Sequence, residues 1–256
     1  NGGTLDINNV ALNTLASVNI QGTGAAGVGA LTGTGAGAAY AGPITLDGAT
    51  TIGGAGTLTL SGAITDGAST FALNKSGAGT LVLSSANTYD GGTNVTAGVL
   101  NLQNATAAGT GTVAVTSGAA VQVQGGITVA NALTLNGTGV ATDGALRSIS
   151  GANTWSGAIT EGSDSRINTD LNSLALTGGI TNAGFLTTVG GSGNTAINTT
   201  ALGGTGGLTK DGSGTLTLGV ANTYTGATSI TAGTVSVTNA AGINTSSALT
   251  VNGGTL

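Results

Sequence analysis

The chain has 256 residues, of which 5% are charged and 2% aromatic, and its formal net charge is −5 with only four cations. It contains no cysteine and no histidine, which removes disulfides, thiol nucleophiles, Ser-His-Asp and Cys-His constellations and His- or Cys-ligated metals together. So few cations argue against nucleic acid and anionic membrane surfaces as partners, and no apolar run is long enough to span a bilayer. Neither a membrane span nor a signal peptide is expected, because no basic n-region precedes the first pattern.

Short alternating strands separated by glycine-rich turns run the whole length, with no helical face long enough to name. The chain opens on Asn1-Gly2-Gly3-Thr4-Leu5 and closes on the identical pentapeptide Asn252-Gly253-Gly254-Thr255-Leu256. Neither end carries a polar cap, so we read it as one β-solenoid segment, 1–256, of a longer repetitive polypeptide. At Thr80-Leu81-Val82-Leu83 the alternation sends Leu81 and Leu83 to a core face. Gly77 and Gly79 prepare the corner before it, and Ala86-Asn87-Thr88-Tyr89 leads into the turn at Gly91. Strands at 93–96 and 99–102 complete the unit.

The middle of the chain holds most of its charge: Asp143, Arg147, Glu161, Asp164, Arg166 and Asp170 are six of its thirteen charged residues. Paired carboxylates on one face of successive coils could perform glycosidic chemistry. A long solvated corner loop from Glu161 to Asp170, internally ion-paired, explains the same residues without chemistry. Within this stretch, Ser150-Gly151-Ala152-Asn153-Thr154-Trp155-Ser156-Gly157 reads as part of a degenerate third copy of the repeat, 150–162, matching the turn at 86–91 with Trp in place of Tyr. Gly190-Gly191-Ser192-Gly193-Asn194-Thr195 resembles a calcium nonapeptide in its glycines, but Thr195 stands where the ligand carboxylate belongs, so no metal site is expected there.

The segment from Lys210 to Val237 then repeats Lys75 to Leu102 with 15 of 28 positions identical. Stacked coils reuse sequence in this way because each meets the packing problem of the last. Asn87, Asn153 and Asn222 are spaced by 66 and 69 residues, which divide into coils of roughly 22 residues and predict about eleven or twelve coils in all. Tyr89, Trp155 and Tyr224 occupy matching places in these three segments, where they either cover a corner or form a ladder for a long glycan.

The shared pattern, Lys-x-Gly-x-Gly-Thr-Leu-x-Leu, then Ala-Asn-Thr-Tyr-x-Gly and Thr-Ala-Gly, resembles the autotransporter passenger-associated repeat of large Gram-negative surface proteins. The resemblance is close at 75–102 and 210–237, partial at 44–74 and 150–162, and compositional elsewhere. It implies an all-β, right-handed parallel β-helix on an extracellular or cell-surface passenger, attached to the outer membrane through parts not in this chain. It carries no catalytic motif and no cofactor, and a cysteine-free chain suits export in an unfolded state. The expectation is therefore a non-enzymatic structural stalk or filament segment supporting adhesion, cell contact or matrix. Its partners would be neighbouring coils or copies of itself end to end, or host and neighbour-cell glycans. The alternative is a carbohydrate-binding or carbohydrate-cleaving β-helix using the 143–170 cluster. Its ligand residues would be Tyr89, Trp155, Tyr224, Glu161, Asp164, Arg166 and Asp170.

Overall fold

The computed structural model describes residues 2–13, 16–244 and 248–256, so Asn1 of the repeated pentapeptide lies outside the described residues. Among the described residues, strands and two short 3-10 turns make up the regular structure, and the fold is an all-β parallel solenoid of about 10 turns at ~21 residues per turn. That is fewer and slightly shorter turns than the asparagine spacing predicts. Coil length is not constant: Leu58, Leu81 and Leu100 lie in register on successive turns although 23 and then 19 residues separate them. No helix among the described residues is long and apolar enough to cross a membrane.

The chain divides into two compact units, Asn1–Val121 and Gln122–Leu256. In the first, inward ranks run Tyr40, Leu60, Leu83, Leu102 and Leu31, Ile52, Lys75, Val95, Val115, each residue paired in parallel with the next. In the second, Leu174, Thr195, Leu216 and Val235 form one rank and Leu146, Ile167, Val189, Lys210 and Ile230 another. Alternation explains the ranks: successive residues of a strand face opposite ways, so Leu81, Leu83, Leu216 and Leu218 are buried while Thr80, Val82, Thr215 and Thr217 are half-exposed. In-register aliphatics from many turns replace the aromatic core that a compact domain of this size would use.

Glycine decides where the turns can stack. A Cβ on Gly77 would lie 2.5 Å from the carbonyl oxygen of Gly54 on the preceding turn, and its φ of +72° is one that L residues seldom adopt. The same corner recurs at Gly212, with φ +71° and the backbone of Gly191 beneath it.

The two units share a deeper correspondence, offset by 115 residues. Each has a 3-10 turn, Ala25–Gly27 and Val140–Thr142, entered from a glycine at positive φ (69° at Gly24, 83° at Gly139) and passing through an alanine at φ 52°. Each has a register break in the strand that precedes this turn, at Ile20/Gly22 and at Leu135/Gly137. The Thr50 hydroxyl donates to the carbonyls of Ile20 and Gly48 at 3.1 and 2.8 Å; the Ser165 hydroxyl donates to those of Leu135 and Ser163 at the same two distances. Tyr40 donates to the Ala16 carbonyl, and Trp155 donates through Nε1 to the Asn131 carbonyl at 3.0 Å.

Candidate functional site

The three aromatic residues do not form a ladder. Tyr89, Trp155 and Tyr224 are each 0% exposed, so none offers a ring face to a sugar. Tyr89 and Tyr224 do occupy equivalent places, each hydroxyl sharing a 2.7 Å hydrogen bond with a threonine four residues on, Thr93 and Thr228. Burial pushes the Tyr89 phenol far above its ordinary range. Trp155 belongs elsewhere: it sits in strand Ala152–Trp155 and corresponds to Tyr40, whereas Ala86–Tyr89 lies outside any strand.

Asparagine bonding separates the segments in the same way. Asn87 accepts from the Ile64 N–H at 2.8 Å and donates to the Ala107 carbonyl at 2.6 Å; Asn222 repeats this with Leu202 and Gly242 at 2.8 and 2.7 Å. Asn153 instead accepts from the N–H groups of Gly126 and Ile127 and donates to the Ser148 hydroxyl. The segment 150–157 is therefore a lexical echo of the turn and not a third copy of it.

The charge cluster is dispersed by strand alternation. Its core, expected as a loop from Glu161 to Asp170, lies mostly in one continuous strand, Ile159–Thr169. Alternation turns Glu161 inward, where it is 1% exposed, and leaves Asp164 and Arg166 outward. Thr187 donates to Oε2 of Glu161 at 3.0 Å, while Oε1 has no hydrogen-bond partner. Burial, opposed by the Thr187 bond, pushes its carboxyl up to about 8.

The outward residues form a polar ladder over successive turns. Arg147 bridges Asp143 and Asp170, with an N–O distance of 2.8 Å to each. The Asp170 hydrogen bond outweighs partial desolvation and raises the Arg147 guanidinium above its ordinary value. Asn168 donates to Asp170 at 2.7 Å and accepts from Arg166 at 3.2 Å, and Arg166 makes a two-pronged contact with Asp211 at 2.6 and 2.9 Å. Asp164 accepts from the Leu186 N–H at 2.8 Å. Each acid on this face thus has a fixed donor, and the buried Glu161 faces away from them. Among the described residues, no group of three or more Asp or Glu side chains could hold a metal ion. Thr195 turns inward and shares a 2.8 Å hydrogen bond with Thr169, so its hydroxyl belongs to the core.

Sequence reading missed the two lysines that open the long repeats. Lys75 and Lys210 are each 2% exposed and stand in the inward ranks beside Ile52 and Val189. Their stems pack with aliphatics while their ammonium groups leave the core at the corner. Lys75 donates to the carbonyls of Ser76, Gly77 and Ala97 at 2.8, 2.8 and 2.9 Å; Lys210 donates to those of Asp211 and Gly212 at 2.5 and 2.8 Å. Desolvation pulls Lys75 down to about 8 and lowers Lys210 as well, with Asp211 opposing the second shift. The signal was present: Leu73-Asn74-Lys75 and Leu208-Thr209-Lys210 alternate, which places lysine on the leucine face.

Comparison with known proteins gives one match. The family model described as passenger-associated-transport-repeat matches residues 73–102 and 208–237. No curated protein and no solved structure matches the chain. Both matched segments begin at the leucine that precedes the buried lysine and end with the strand that closes the coil, and they bond alike at lysine, asparagine and tyrosine. The chain carries two passenger-associated transport repeats on a parallel β-solenoid, an arrangement that fits a secreted, cell-surface autotransporter passenger segment.

Proposed function

We propose that this chain is an extracellular structural stalk or filament segment of a bacterial surface protein, holding other parts at a distance in adhesion, cell contact or matrix. The observation that carries this is where the repeat directs its signature residues. Lys75, Asn87 and Tyr89, with their counterparts Lys210, Asn222 and Tyr224, are all buried and bond to backbone or side chains of the solenoid itself. A motif whose polar groups are consumed within the solenoid, at its corners or between adjacent turns, encodes a coil. End-to-end association with further coils or copies of the chain belongs to the same reading, as does contact with glycans through parts that such a stalk would present.

Two measurements test it. Pulled from its two ends in a single-molecule instrument, a stalk segment should resist and then lengthen in steps of about one turn, because each coil contacts only its neighbours. Extension at negligible force would refute the mechanical role. Incubated with a panel of acidic and neutral polysaccharides, the chain should leave them intact. Cleavage by the parent that an Asp164→Asn, Asp170→Asn double variant lacks would overturn the proposal in favour of a carbohydrate-cleaving β-helix.

A further inference from the structure

The 115-residue correspondence places Val28, Thr32 and Ala55 of the first unit where the second carries Asp143, Arg147 and Asp170. In the second unit these three side chains form an ion-paired cover over the corner beside the 3-10 turn. In the first, the small neutral residues leave that corner open as a groove of about 520 Å³, lined by Val28, Ala55 and Ala78 together with Asp6, Thr32 and Thr34. At matching places the second unit thus carries an arginine held by two aspartates, and the first carries neutral residues, of which Thr32 is buried and Val28 and Ala55 are exposed.

The bare groove is also electrostatically incomplete. Asp6 accepts from the Asn8 N–H and the Thr34 hydroxyl, both at 3.0 Å, and faces no cation. These bonds, the Asn8 one foremost, hold its carboxyl below the ordinary aspartate range, so it is ionised at neutral pH. The only lysine or arginine in the first 121 residues is Lys75, whose ammonium is committed to three carbonyls.

We propose that this groove in the first unit is a docking site for an arginine side chain presented by a partner polypeptide. The aliphatic stem would lie on Val28, Ala55 and Ala78 and the guanidinium would meet Asp6 and Thr34, a contact different from that of Arg147, whose two aspartates are Val28 and Ala55 here. An arginine fits both halves of the lining, since its stem tolerates apolar contact and its planar head donates in a fork to a carboxylate. A neutral sugar would satisfy the hydroxyls but leave the charge of Asp6 unmatched.

The test uses the whole chain, with N-acetyl-arginine amide as probe and its uncharged isostere, N-acetyl-citrulline amide, as control, followed by amide chemical shifts in NMR titrations. The expected result is saturable shifts at Thr34, Ala55 and Ala78 with the arginine probe. Binding should be weaker by about two- to five-fold both for the citrulline probe and in Asp6→Asn, as befits loss of one exposed charge pair. The combined Val28→Asp, Thr32→Arg, Ala55→Asp variant, which transplants the cover of the second unit, should not respond at the groove. Should that variant fail to fold, Asp6→Asn decides alone. Shifts that are absent, that arise only around other acids, that are equal for the two probes, or that Asp6→Asn leaves unchanged would each overturn the proposal.

Discussion

Glu161 is a buried acid at a position that the first unit fills with Leu46, and its replacement should make the protein more stable. The surrounding pair has changed together: Thr187, which hydrogen-bonds Glu161, occupies the register place of Leu73. With a folded pKa of about 8 against 4.5 for the free side chain, the folded chain binds the extra proton between those values. The sign follows directly. Stability from this group is greatest below about pH 4.5, falls as pH rises at about 1.4 kcal/mol per unit, and levels off above about pH 8. At neutral pH the accumulated loss is about 3 kcal/mol, a large share of the total stability of an ordinary domain. Glu161→Gln should remove the slope, and a Glu161→Leu, Thr187→Leu double variant should also recover the apolar pair, avoiding an orphaned Thr187 hydroxyl that would itself cost about 1–3 kcal/mol. Urea unfolding at several pH values across the window measures this as the difference between parent and variant, which cancels the other titrating groups. A parent-minus-variant stability that is flat or rises between about pH 4.5 and about pH 8 would refute the reasoning.

Lys75 should produce the opposite slope. Its ammonium titrates at about 8 when folded and 10.5 when free, so the unfolded chain holds the extra proton in that window and stability rises with pH across it. Relative to Lys75→Met, the parent should gain stability as pH rises from about 8 to about 10.5, and a loss over that range in urea unfolding would contradict the assignment. Leu216→Asp should lower stability by about 3 kcal/mol or more, because the residue is 0% exposed between Thr195 and Val235 and nothing there can pair a charge. Amide exchange should accelerate in the flanking strands Asn194–Ile197 and Thr234–Val237, and an unchanged urea midpoint would show that the site opens freely to water.

The sequence by itself determined the period-two alternation, and with it the inward leucines, the coil as the repeating unit and the equivalence of 75–102 with 210–237. These are local properties: side-chain direction along a strand follows from backbone geometry, and repeated corners need repeated glycines. It also separated passenger-like architecture from enzymes that depend on histidine or cysteine. What it did not determine was register. The Asn153–Trp155 segment matches the 86–91 turn in letters, yet it is a strand whose counterpart is Ala38–Tyr40, because hydrogen bonds between turns assign each residue to a rank. The 115-residue correspondence rests on small residues such as Thr50 and Ser165, whose shared role is one hydrogen-bond geometry and which leave little trace in a letter alignment. The six central charges are close in sequence, but alternation sends Glu161 into the core and Arg166 to the surface, while Arg166 finds Asp211 from two turns further on. Stacking alone brought that pair together, since which residues share a face depends on how many residues each intervening coil contains.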